Sequence, residues 1–193
     1  PPMASVVGLE DGRALVIGGV DPSGADGYSQ YGWVVPAGEP EDAAIEAGQL
    51  MLGSERYGAT VMAVGAEALV WGGGVTDPSA ARAVWIDGDA GTARDLSGAS
   101  DAANTMFAAG HHLDSTETTH RFVVLGGATI DAAGNHELAV NGAHGLLLTV
   151  DTVAQTVSGM DLDFGEEASQ LQRAGASLVA LGDGSLWFLG GFQ

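Results

Sequence analysis

Three of the five histidines, His111, His112 and His120, fall in the run HHLDSTETTH. If 107–112 and 120–125 are paired strands, His112 and His120 flank the mouth of a hairpin, with Asp114 and Glu117 between them. Imidazoles with a carboxylate are the donor set of a transition metal, so His112, His120 and Asp114 are the metal-ligand candidates. The competing reading is a solvated polar hairpin tip, where His and Thr are ordinary residues. Further acidic residues recur in polar loops: Asp21 and Asp26, then Asp77, then Asp131 with Asn135 and Glu137. Calcium is held by oxygen-rich loops, but none of these has the spacing of a helix–loop–helix calcium site. The Asp-Pro steps at 21–22 and 77–78 initiate turns, which is the simpler account of these aspartates. His144 stands alone, as structural histidines do. The absence of cysteine excludes disulfides, zinc thiolates and a Cys nucleophile. There is no Gly-x-Ser-x-Gly elbow and no His-Glu-x-x-His pair. On this reading no catalytic residue and no cofactor is assigned.

The elements that would carry these residues repeat. Four apolar runs end on a glycine pair: LVIGG (15–19), LVWGGG (69–74), FVVLGG (122–127) and LWFLGG (186–191). The pairs are spaced by 54, 54 and 64 residues, a period that signals a stacked or radial repeat architecture. The second copy reads RYGATVMAVGAEALVWGGG and the fourth RAGASLVALGDGSLWFLGG. In each, two apolar runs flank a short Gly-containing turn, the pattern of a hairpin of largely buried strands. A strand that ends on Gly-Gly either bends or is closely approached by another backbone. Four such endings in register favour close approach between neighbouring sheets. Two further strand-like runs follow each polar loop: YGWVVP and 49–52, RAVWID and TARDL, GLLLTV and AQTVSGM. The expected plan is four antiparallel strands per unit. The stretch from Glu41 to Leu52, between Pro40 and Gly53, also suits a short helix.

These features resemble the kelch family of repeats. The resemblance lies in Arg56-x-Gly58-Ala59, Arg173-x-Gly175-Ala176, the four Gly-Gly endings, and the hairpins VWIDGDAGTARDL and LLLTVDTVAQTV. It covers essentially the whole chain. Pro1 and Asn104 stand where the first and third repeats would carry the Arg, and the third hairpin is longer. Trp33 and Trp85 lie in third strands rather than in the outermost one. The resemblance implies an all-β fold, a kelch-type β-propeller with four-stranded antiparallel blades. About three and a half blades would lie in this chain, as repeats 1–53, 54–103, 104–170 and an incomplete 171–193. That count leads to the expectation of a fragment or subunit, completed by a second chain or a missing segment. Copper oxidases on such propellers use a Tyr–Cys cross-link, which a chain without Cys cannot make.

The net charge is −19, from 25 acidic residues and 6 basic ones, all arginine. Such a balance disfavours nucleic acid and anionic membranes, which need clustered cations. No apolar run approaches the roughly 18 residues of a membrane span. The acidic, Ala/Gly/Asp-rich character points to a bacterial protein that is secreted, periplasmic or on the cell surface. The expected function is a non-enzymatic scaffold whose inter-strand loops, 20–30, 75–81 and 128–143, bind a protein or glycan. The alternative is part of a carbohydrate-active or metal-dependent enzyme, with carboxylates or the 111–120 histidines converging on one pocket.

Overall fold

The computed structural model describes residues 3–20, 29–35, 37, 49–74, 81–99, 105–130, 136–138 and 145–192. The chain forms two compact units, Pro1–Leu96 and Ser97–Gln193, and the class is all-β: among the described residues the regular structure is antiparallel sheet and one short 3₁₀ helix.

The first unit holds two four-stranded sheets. One runs β1 (Ser5–Gly8), β2 (Ala14–Ile17), β3 (Tyr31–Val35), β4 (Gln49–Met51), each strand antiparallel to the next. The other runs β5 (Thr60–Val64), β6 (Glu67–Trp71), β7 (Ala83–Asp87), β8 (Thr92–Asp95) in the same order. The β5–β6 turn is Gly65-Ala66, with Gly65 at φ 61°, a backbone that two-residue hairpin loops favour and glycine adopts freely. Leu15 and Ile17 of β2, Ala68 and Val70 of β6, and Val84 and Ile86 of β7 join one core with Leu50 and Leu52. Ala68 to Trp71 are all buried, so β6 is covered on both faces. That is why its sequence is continuously apolar rather than alternating.

The second unit repeats the plan with an insertion. Its four-stranded sheet has β9 (Ala109–Ser115) at one edge, then β10 (Thr119–Leu125), β13 (Gly145–Asp151) and β14 (Thr156–Asp161). Between β10 and β13 lies a separate hairpin, β11 (Ala128–Ile130) with β12 (His136–Leu138). A 3₁₀ helix, Gly165–Leu171, leads to a two-stranded sheet of β15 (Ala174–Ala180) and β16 (Leu186–Phe192).

All four glycine pairs have left-handed backbone: φ is 62° and 101° at Gly18-Gly19, 65° and 90° at Gly72-Gly73, 68° and 102° at Gly126-Gly127, and 72° and 79° at Gly190-Gly191. In the first unit Gly19 N–H donates to the Arg56 carbonyl at 2.8 Å, tying the end of β2 to the entry of the next sheet. In the second unit Gly127 N–H makes the same bond to the Arg173 carbonyl at 2.7 Å. A Cβ on Gly18 would run into the Arg56 carbonyl, and one on Gly126 into that of Arg173. Gly18 and Gly126 are thus required twice, for their φ and for the approach of the neighbouring backbone.

Several expectations change in detail. Of the stretch expected to suit a helix, Gln49–Met51 is strand β4, paired with Tyr31–Trp33, and 41–48 lie outside the described residues. The loop expected at 128–143 contains β11 and β12, in keeping with the β-branched Thr129 and Ile130. The residue equivalent to Arg56 in the third repeat is Thr105, not Asn104. Met106 bridges Ala128 as Tyr57 bridges Gly74, which fixes the alignment one residue later.

Candidate functional site

The histidine hairpin is built by β9 and β10, longer than the strands expected from sequence and broken by a bulge between Arg121 and Phe122. The bulge sets which side chains meet. His120 lies opposite Ser115, Arg121 opposite Asp114, and Phe122 opposite His112. Because adjacent residues of a strand point to opposite faces, His120 and Arg121 cannot share one. Asp114 therefore goes with Arg121: Arg121 Nε donates to its Oδ1 at 2.7 Å, and Nη2 donates to Oδ2. That guanidinium holds the Asp114 carboxyl below its ordinary range.

On the other face Ser115 joins two imidazoles. Its Oγ lies 2.8 Å from His112 Nε2 and 2.7 Å from His120 Nδ1. A hydroxyl has one proton, so when both rings are neutral it donates to one ring and accepts an N–H from the other. The two rings are 6.4 Å apart between centroids, and His112 packs against Phe122 at 5.3 Å. His120 is buried, His112 half-buried and Ser115 exposed. Burial, with the neighbouring His112 charge, pushes the His111 imidazole below its usual value. The structure thus brings together His112 and His120 but not Asp114, and Glu117 lies exposed in the turn. Ser115, which completes the chain, was missed because its place opposite His120 depends on the bulge. Among the described residues no three His, Asp or Glu side chains are grouped to hold a metal ion.

Asp21, Asp26, Asp77, Asp131, Asn135 and His144 lie outside the described residues, and Glu137 is placed by its backbone alone, opposite Thr129. Among the described residues no helix is long and apolar enough to cross a membrane.

The two repeat arginines differ in a way the sequence does not display. Arg56 is fully buried, and its guanidinium donates to three carbonyls: Nη1 to Gly72 at 2.5 Å and Arg82 at 3.5 Å, Nη2 to Ala81 at 2.5 Å. Burial, aided by the charge of Arg82, lowers its pKa to about 10, so it stays cationic at neutral pH. It clamps the glycine pair after β6 to the entry of β7. Arg173 repeats one of these bonds, Nη1 to the Gly190 carbonyl at 3.2 Å. The Nε atoms of both arginines are buried without a hydrogen-bond partner, and Arg173 lines an open concavity of about 270 Å³ with Phe164, Glu167, Leu171 and Phe188.

Strand β16 beside it carries exposed apolar side chains. Trp187 and Leu189 are 55 % and 47 % exposed. Counted back from the glycine pair, their equivalents in β6 are Leu69 and Trp71, at 0 % and 1 %. No protein-family model matches this sequence, and no curated protein matches it.

Proposed function

We propose that this chain contributes kelch-like blades to a β-propeller and serves as a non-enzymatic scaffold that binds a protein or glycan through the loops following its glycine pairs. The observation that carries the reading is the recurrence of one unit: strand, left-handed glycine pair, loop, next strand. In the first unit the loops after Gly19 and Gly73 leave from corresponding strand ends and lead into β3 and β7. A fixed sheet with variable loops at one end is how repeat folds present binding surfaces. The bond from the second glycine of a pair to an arginine carbonyl recurs as sheet-to-sheet seams do in a blade array. The role itself rests on fold analogy together with the acidic loops.

The test is a glycan array and a displayed-peptide library screened with the purified chain. Asp21→Lys, Asp77→Lys and Asp131→Lys together should reduce capture of the selected ligands at least tenfold without moving the urea midpoint. Undiminished capture by a folded triple variant would overturn the reading.

A further inference from the structure

Residues 112 and 115 are an odd number of places apart, so on a regular strand their side chains would point to opposite faces of the sheet. The bulge in β9 removes that parity. With Ser115 opposite His120, Asp114 opposite Arg121 and His112 opposite Phe122, Leu113 is the extra residue. His112, Ser115 and His120 are thereby turned to one face, and re-aiming a side chain is what bulges beside functional sites do. On that face His112 Nε2 and His120 Nδ1 converge on a single atom, Ser115 Oγ, at 2.8 and 2.7 Å. The Phe122 ring packs against His112 at 5.3 Å, and His120 is buried, so both rings are held by their surroundings. Ser115 is exposed, so the point of convergence is reached from solvent.

We propose that His112 and His120 form a two-imidazole site for a divalent transition-metal ion, in which the ion displaces the Ser115 hydroxyl. Each ring then gives its lone pair to the ion, at the roughly 2.0–2.1 Å of a metal–imidazole bond, in place of a hydrogen bond to Oγ. Two nitrogens that already reach one atom need only a small closing movement to do so. Water fills the remaining positions, as in open metal sites, so the ion is held exchangeably rather than as a structural centre. Imidazole donors favour Cu²⁺, Ni²⁺ and Zn²⁺ over Mg²⁺ and Ca²⁺, and Cu²⁺ binds tightest of these. Asp114 takes no part, because both its oxygens accept from Arg121 on the other face. His111, opposite Val123, also lies on that other face. The net charge of −19 draws cations to the chain, while the convergence of the two rings selects where an imidazole-seeking ion stays. The proposal is independent of the scaffold reading and takes nothing from the repeats.

The experiment is titration of the purified chain with Zn²⁺, and separately with Cu²⁺, at neutral pH in excess Mg²⁺, which occupies sites made of carboxylates alone. The expected result is one Zn²⁺ per chain, with the ring resonances of His112 and His120 shifting together and that of His111 little moved. Cu²⁺ should bind more tightly still. His112→Gln and His120→Gln should each weaken binding at least about tenfold, since losing a ligand costs no less than losing an outer partner of one. His111→Asn should bind as the native chain does, and Ser115→Ala at least as tightly, because it frees both nitrogens. Should the buried His120→Gln variant fail to fold, the His120 ring shift in the native chain carries the assignment. A shift of His112 alone, binding that survives His112→Gln, or no binding at all would overturn the proposal. Equal loss in His111→Asn would move the ion to the adjacent 111–112 pair and overturn it too. Loss in Ser115→Ala would show that the hydroxyl is a ligand and not the group displaced.

Discussion

The glycine pairs offer a matched comparison within the second unit. Gly126→Ala and Gly190→Ala make the same chemical change at equivalent first-glycine positions, with φ 68° and 72°. Both incur the left-handed penalty of a Cβ, about 1–2 kcal/mol. They differ in what the methyl meets. At Gly190 nothing lies within 4 Å. At Gly126 it collides with the Arg173 carbonyl, with the Leu171 carbonyl at 2.9 Å and the Phe188 ring at 3.1 Å also in the way. Two of these are backbone atoms that cannot swing aside, so the seam must open. Overpacking of this kind costs about 1–3 kcal/mol. The Gly127 N–H bond to Arg173 is strained or lost with it, for about 1 kcal/mol more. Gly126→Ala should then destabilise by about 3–6 kcal/mol in all, against about 1–2 for Gly190→Ala. Urea unfolding followed by tryptophan fluorescence, with amide exchange over 97–193 to assign the transition, reads the difference. At typical urea slopes the Gly126 variant should have its midpoint lower by at least about 1 M than the Gly190 variant. Equal losses would refute the argument, because the backbone angle alone would then explain both.

Arg56→Lys should cost about 2–4 kcal/mol, since an ammonium cannot span the Gly72, Ala81 and Arg82 carbonyls that the planar fork reaches. Arg173→Lys, with one bond to lose, should cost under about 1 kcal/mol, and a reversed order by urea unfolding would undo the clamp assignment. His111 should titrate below 6.5 by NMR, because burial disfavours its cation. The unfolded chain then binds more protons than the folded one between the folded pKa and 6.5. Stability from this group is complete above 6.5 and declines as pH falls through the folded value. His111→Asn should flatten that slope, and a midpoint at or above 6.5 would contradict it.

Much of the scaffold was legible as sequence because its signals are local. Apolar runs, their turn glycines and their period depend on residues close together in the chain, and they announced the antiparallel strands and the four glycine pairs. The close backbone approach at Gly18 and Gly126 also follows from the one residue that lacks a side chain, whereas at Gly190, with nothing within 4 Å, the backbone angle alone calls for glycine. Contacts between distant residues were a different matter. A single bulge after Arg121 decides that Ser115 rather than Asp114 joins His112 and His120, and a one-residue slip in register exchanges the two faces of a strand. Likewise Arg56 and Arg173 are the same letter in the same motif. One is buried and reaches three carbonyls and the other keeps a single such bond, because burial depends on which strands lie alongside. Sequence determined where this chain makes strands and where it admits a neighbour; the tertiary structure decided which polar groups are satisfied and which side chains are buried, because both depend on residues far apart in the chain.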